Sequence, residues 1–219
     1  MFTPKVRELF LFTFFATLKN KTGASVNDIN KHLWPGISIN KVNNNRSVTL
    51  NKLRKILNYI EGIEIITSNG FLRSEYRQPF YCDYAEAYKL CRAANGMDKK
   101  QLESFFILVK KGRLLKDTHW NWLDEIIGFI GNQVIDNLLK LASNSKNENN
   151  LSKIDAIADR ILEYDDLNEE AIWLKSKTLL DANNLHLAKF HFESFYSRYK
   201  ETFGEPYPKN FNQFIKNEI

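Results

Sequence analysis

The dipeptide Asn69-Gly70 stands between two short runs, Ile63 to Thr67 and Phe71 to Tyr76, whose β-branched and aromatic residues suit strands. The central positions of a two-residue hairpin turn require positive φ, and Asn and Gly accept it at the least cost. The spacing therefore predicts a hairpin, with Ser68 at its entrance. Almost every other apolar residue recurs at the helical period, so the hairpin has to be accommodated by a mainly α chain.

The segments ahead of the hairpin read as three helices. Pro4 suits a first helical turn with Thr3 as N-cap, and Val6, Leu9, Phe10, Phe14 and Leu18 continue the helix nearly to Asn20. A helix this apolar belongs at the centre of a domain. Lys21 to Ala24 is expected as a turn, after which Ser25 and Asp28 have capping-box spacing and begin a short helix through Val26, Ile29 and Leu33. Pro35 and Gly36 end it. Ser38 is placed to cap a longer helix with Val42, Leu50, Leu53, Ile56, Leu57 and Ile60 along one stripe. Three helices followed by a hairpin are the order of a winged helix-turn-helix. Pro79 and the segment Tyr81 to Tyr84 mark a boundary, which assigns residues 1–80 to this domain and residues 81–219 to a second.

The second domain is expected to be all-α, with helices over about Asp83 to Ala94, Lys99 to Lys111, Trp120 to Ser143, Leu151 to Tyr164, Glu169 to Ala182, Leu185 to Phe203 and a last one from Lys209. The Ser-, Asn- and Lys-rich stretch Ser143 to Asn150 reads as a loop. The last long helices pair about a tight Asn183-Asn184 turn, with a period approaching the roughly 34 residues of tetratricopeptide repeats. The fold class is thus mainly α: a winged helix-turn-helix with a β-hairpin wing, then a tetratricopeptide-like helical module.

Charge separates the two domains. Of the net +5, residues 1–80 hold twelve Lys/Arg against five Asp/Glu, and the remainder nineteen against twenty-one. A basic first domain beside a near-neutral second one is the asymmetry expected when the first meets a polyanion; a solvated basic face is the plainer alternative. On the third helix Asn44, Ser47, Val48, Asn51, Lys52 and Lys55 fall away from the apolar stripe onto one surface. Asn can bridge adenine N6 and N7, Val48 can pack on a thymine methyl, and Arg46, Lys52, Arg54 and Lys55 can neutralise phosphates. At the wing, Asn69 at the tip and Arg73 on the return strand are placed to reach a neighbouring groove or backbone. Double-stranded DNA is the partner these residues suit.

The run Leu33-Trp34-Pro35, the stretch from Lys41 to Leu57 and the Asn69-Gly70-Phe71 wing resemble the OmpR-type winged helix of SARP-like transcriptional activators. The second half is similar to their bacterial transcriptional activator domain. Gly112-Arg113-Leu114-Leu115 with Trp120 to Glu125 resembles its early helix pair, Ile161 to Ala171 its inter-repeat turn, and Gly204-Glu205-Pro206-Tyr207-Pro208 its C-terminal signature. The likeness covers nearly the whole chain in order, and is nearest to the output ends of large Bacteroidetes-type regulators. It implies that Lys52 and Arg54 are the phosphate-contacting pair and Val48 the apolar groove contact. It also implies a bacterial regulator, an upstream sensor segment, and a helical domain for self-association or for contact with that sensor or the transcription machinery. The wing departs from the family pattern, because Leu72 intervenes between the aromatic Phe71 and Arg73.

Other chemistries find little support. His32, His119, His186 and His191 have no metal-ligand spacing, and Cys82 and Cys91 read as small buried hydrophobes, so neither a metal nor a cofactor is expected. No phosphate cradle, dinucleotide fingerprint or nucleophile elbow occurs, which argues against an enzyme. The acidic group Glu163, Asp165, Asp166, Glu169 and Glu170 straddles a helix start, where carboxylates favour the dipole. Trp120, Trp122 and Trp173 suit helix packing. Leu9 to Leu18 is too short to span a bilayer and is followed by Lys19-Asn20-Lys21 rather than by a cleavage site, so no membrane contact and a cytoplasmic location are expected. The reading is a sequence-specific DNA-binding transcriptional regulator. Its alternative is a protein-interaction adaptor whose winged helix does not bind DNA.

Overall fold

The computed structural model describes residues 2–60, 62–93, 96–147 and 150–216. Among these the chain is mainly helical, with a small three-stranded antiparallel sheet. It divides into two compact units, Met1–Ala85 and Glu86–Ile219, a few residues beyond the boundary expected at Phe80.

The first unit contains helices α1 (Pro4–Lys19), α2 (Val26–Leu33) and α3 (Ile39–Leu57), and strands β1 (Ala24–Ser25), β2 (Ile63–Ser68) and β3 (Phe71–Tyr76). The hairpin forms where Asn69-Gly70 predicts it, with φ of 48° and 78° at the two positions. Strand order is β1-β3-β2, with Leu72 opposite Thr67 on one side and Ala24 on the other. Leu72 joins Val6, Leu9, Ile29, Leu33, Val42, Leu53 and Leu57 in one buried core. The helix α1 is fastened to the sheet by a polar relay: the Thr17 hydroxyl donates to the Thr13 carbonyl (2.7 Å) and accepts from the Ser74 N–H (3.0 Å).

Strand β1 corrects the expectation of a turn through Ala24. The turn closes by Thr22, and Ala24 and Ser25 then pair with β3. Two residues are too few to show a strand period; Gly23 permits the pairing. At φ +85° its backbone passes so close to β3 that a Cβ would stand 2.2 Å from the Leu72 carbonyl oxygen. Ser25 caps α2 by accepting from the Asp28 N–H (3.0 Å), while its hydroxyl donates to the Asp28 carboxylate (2.6 Å). The return bond is therefore between side chains, unlike that of a capping box. Thr3 and Ser38 stand at helix starts in extended conformation without side-chain cap bonds. The helix α3 ends at Leu57, leaving Ile60 beyond it and 42% exposed rather than on the apolar stripe.

After α4 (Asp83–Cys91), the second unit continues with α5 (Lys99–Val109), a 3₁₀ turn at Asn121–Leu123, then α6 (Asp124–Asn147), α7 (Leu151–Tyr164), α8 (Glu169–Asp181), α9 (Leu185–Phe203) and α10 (Phe211–Lys216). Helices α6 to α9 each pack on their chain neighbours. The short connections make α7–α8 and α8–α9 antiparallel pairs. Asn150, Asn168 and Asn184 cap α7, α8 and α9 in the same way, each side chain accepting from the N–H three residues on. At the end of the chain Phe192, Phe195, Tyr207 and Phe214 pack together, and the Tyr207 hydroxyl donates to Glu169 at 2.7 Å. Trp173, Leu174, Phe192 and Phe195 are buried as packing residues, whereas Phe190 is 55% exposed.

Two further expectations change. The stretch from Ser143 is helical through Asn147, because Ser145 is buried and donates to the Leu141 carbonyl (2.9 Å) instead of meeting water. Of the expected loop, residues 148–149 lie outside the described residues, as does Ala94 at the expected end of α4. Cys82 and Cys91 are free and only half-buried, although burial pushes the Cys91 thiol up to about 12. No described helix is long and apolar enough to cross a membrane.

The close approach at Gly23 makes a specific prediction. Gly23→Ala should destabilise the first unit by at least about 2 kcal/mol, since positive-φ strain is joined by a clash with strand backbone. Gly36→Ala, at φ +72° with nothing within 4 Å of the new Cβ, should cost only about 1 kcal/mol. Urea unfolding of both variants measures the difference.

Candidate nucleic-acid interface

The apolar side of α3 determines what its other side presents. Val42, Thr49, Leu50, Leu53 and Leu57 face the core, which turns Asn44, Ser47, Val48, Asn51, Lys52 and Lys55 outward together. All six are exposed to solvent at least in part, Val48 to 45% despite being apolar. The Ser47 hydroxyl donates back to the Asn43 carbonyl at 2.9 Å, which leaves its oxygen to accept. Lys41, exposed one turn before Asn44, extends the same stripe. Sequence reasoning did not single it out, although its i, i+3 spacing to Asn44 was the available signal. From Lys41 to Lys55 the stripe runs about 21 Å at the helical rise, long enough to cross a DNA major groove.

The cations near this face fall into two chemical groups. The Arg46 guanidinium donates to Asn30 Oδ1 on α2 (2.6 Å) and to Asn43 Oδ1 (3.0 Å). Its partial burial lowers its pKa from the ordinary value. Arg54 donates from Nε to the Ile65 carbonyl (3.1 Å) and from Nη2 to Thr67 Oγ1 (2.9 Å), both on β2. The rigid fork of a guanidinium suits such two-point fastening. In the structure Arg46 and Arg54, expected as phosphate contacts, thus also bond α3 to α2 and to the wing. Among the described residues no carboxylate pairs with Lys41, Lys52 or Lys55. Among the described residues, these lysines are uncompensated charges of the stripe.

The wing is arranged in a similar way. Asn69 sits exposed at its tip, and the Gly70 carbonyl accepts from the Val26 N–H (2.9 Å), tying the turn to the start of α2. Arg73 lies back along β3 with its Nε 2.8 Å from Glu75 Oε1. Residues i and i+2 share a strand face, so the carboxylate neutralises the expected wing cation locally. Farther down the hairpin, the Arg77 guanidinium donates to Glu64 (2.7 Å) and holds that carboxyl below the usual range. Asn44, Ser47, Val48, Asn51, Lys52 and Lys55 thus form one surface, with Asn69 apart from it at the hairpin tip and Arg46, Arg54 and Arg73 engaged internally.

Among the described residues no group of three or more His, Cys, Asp or Glu side chains is placed to hold a metal ion. No family model matches the sequence, and no curated protein or solved structure matches it either.

The two kinds of cation are separable by stability alone. Arg54→Ala should destabilise the chain by about 1–3 kcal/mol, because it leaves a strand carbonyl and a threonine without their partner. Lys52→Ala should stay within about 0.5 kcal/mol of the parent. Equal urea midpoints for the two variants would contradict the assignment of Arg54 as a tie.

Proposed function

We propose that the chain is a sequence-specific DNA-binding transcriptional regulator whose first unit works as a winged helix-turn-helix. The observation that carries this reading is the outer face of α3. Two amides, a hydroxyl and an exposed valine lie between lysines that have no carboxylate partner among the described residues, on a helix whose arginines fix its orientation. Amide and methyl groups are the side-chain chemistry that reads base edges, and unpaired lysines supply the attraction to phosphate. The order of three helices and a hairpin, with β1 closing the sheet beside β3, supports the winged-helix comparison. The resemblance to SARP-like activators points the same way and favours activation.

In this role α3 enters the major groove with Asn44, Ser47, Val48 and Asn51 towards the bases. Lys52 and Lys55 meet the phosphates, joined by Lys41 at the other end of the stripe. Arg46 and Arg54 act as positioning residues, and Asn69 carries the tip of the wing to the adjoining backbone. The second unit, with its antiparallel helix pairs and shared asparagine caps, suits a tetratricopeptide-like module for contact with protein. Its near-neutral charge gives it no comparable attraction to a polyanion.

Fluorescence anisotropy of the full chain on labelled duplexes, across a salt series, tests the reading. Binding should weaken steeply with added salt as counterions return to the DNA. The double substitution Lys52→Ala/Lys55→Ala should weaken binding to all duplexes alike and reduce the magnitude of the log–log salt slope by roughly 0.9 for each phosphate that a lysine no longer neutralises. No retention on any duplex at low salt would refute DNA binding and favour the adaptor reading. Unchanged affinity in the double variant would refute the face.

A further inference from the structure

Resting on the DNA-binding reading, we infer that the α3 face selects A·T base pairs and that its operator is built from adenine–thymine steps. The order of residues along this face decides the matter: carboxamides and a valine occupy its middle and the cations its ends. The commonest specific contact in the major groove is an arginine or lysine on guanine O6 and N7, and the lysines of this face, Lys41, Lys52 and Lys55, lie at the two ends of the stripe. The two arginines of α3 are engaged within the unit: Arg46 bonds Asn30 and Asn43 through Nη1, and Arg54 bonds the Ile65 carbonyl and Thr67 through Nε and Nη2. On the wing, Arg73 is paired with Glu75.

What remains exposed towards a groove is Asn44 and Asn51, seven residues and two turns apart on one line, with Val48 between them. A carboxamide donates to adenine N7 and accepts from adenine N6, a bidentate fit that no other base edge reproduces. Val48 is 45% exposed, and its methyl groups gain by meeting the C5 methyl of thymine. Ser47 can serve any base and discriminates little. Lys41 lies at one end of the stripe and Lys52 and Lys55 at the other, where a helix lying in the groove meets the phosphate walls. The surface thus holds two adenine readers and one thymine contact, with its cations at the margins.

Selection from a random duplex pool by the full chain at low salt, followed by base analogues in the selected site, tests this inference. Adenine–thymine steps should be enriched. Replacing a read adenine by 7-deazaadenine removes the N7 acceptor and should weaken binding roughly 5- to 150-fold. Replacing the contacted thymine by deoxyuridine removes one methyl and should weaken it about fourfold. That fourfold discrimination should vanish in Val48→Ser, and the 7-deazaadenine effect should vanish at one position each in Asn44→Ala and Asn51→Ala. Enrichment of G·C steps, or sensitivity to 7-deazaguanine alone, overturns the inference and leaves DNA binding standing. So does a pool retained in a salt-sensitive way without any enrichment. A pool that is not retained at low salt removes the DNA-binding reading, and this inference with it.

Discussion

Strand β3 is paired along both edges, and the first unit is organised by that double pairing. Leu72 stands opposite Ala24 and Thr67 and is 1% exposed, so its side chain sits in the core shared with α1, α2 and α3. The pairing with β1 depends on a glycine at position 23, where any side chain would occupy the space of the Leu72 carbonyl. The pairing with β2 depends on the positive φ of Asn69 and Gly70. The Ser74 N–H of this strand donates to the Thr17 hydroxyl on α1, and the Gly70 carbonyl, in the turn just ahead of the strand, accepts from the Val26 N–H at the start of α2. Arg54 then connects β2 to α3. The outer face of α3 is consequently held by bonds from a helix on one side and a strand on the other.

That arrangement divides labour between arginine and lysine. A planar guanidinium with several fixed donors fastens two elements in a defined geometry, and it keeps its charge when half-buried. A lysine ammonium on a flexible stem is better suited to solvent and to a phosphate that approaches from varied directions. Here the arginines near α3 have partners inside the protein, while Lys41, Lys52 and Lys55 meet no carboxylate among the described residues. On the proposed DNA-binding reading, this separates orientation from attraction: the ties would set which side chains face the groove, and the lysines would draw the polyanion to them. The amides and the valine would then be the readers, so that the proposed base preference rests on the fold as well as on the identity of the residues.

Much of this was legible in the sequence because the signals were local. Asn-Gly between alternating runs specifies its hairpin through two φ angles, and the extents of α2, α7 and α9 follow from nearby capping residues and regular apolar spacing. The six outward residues of α3 follow from the opposite stripe of core residues, all within one helix. The features that escaped were set by distant parts of the chain. β1 is two residues long and exists because β3 passes beside Gly23. The end of α6 looks like a polar loop until Ser145 is seen to be buried with its hydroxyl turned back onto the helix. The roles of Arg46 and Arg54 were illegible for the same reason: an arginine spaced correctly for a phosphate looks no different from one bonded to a residue on another element.

We propose the exposed face of α3, held by these ties, as the surface that meets DNA. Backbone amide chemical shifts of the isotope-labelled full chain, followed as duplex DNA is added, test it at residue resolution. The largest changes should fall on Asn44, Ser47, Val48, Asn51, Lys52 and Lys55, with a smaller set around Asn69 at the wing tip, and α7 to α9 should remain unmoved. Changes centred on the second unit, or on the part of the first unit opposite α3, would contradict it.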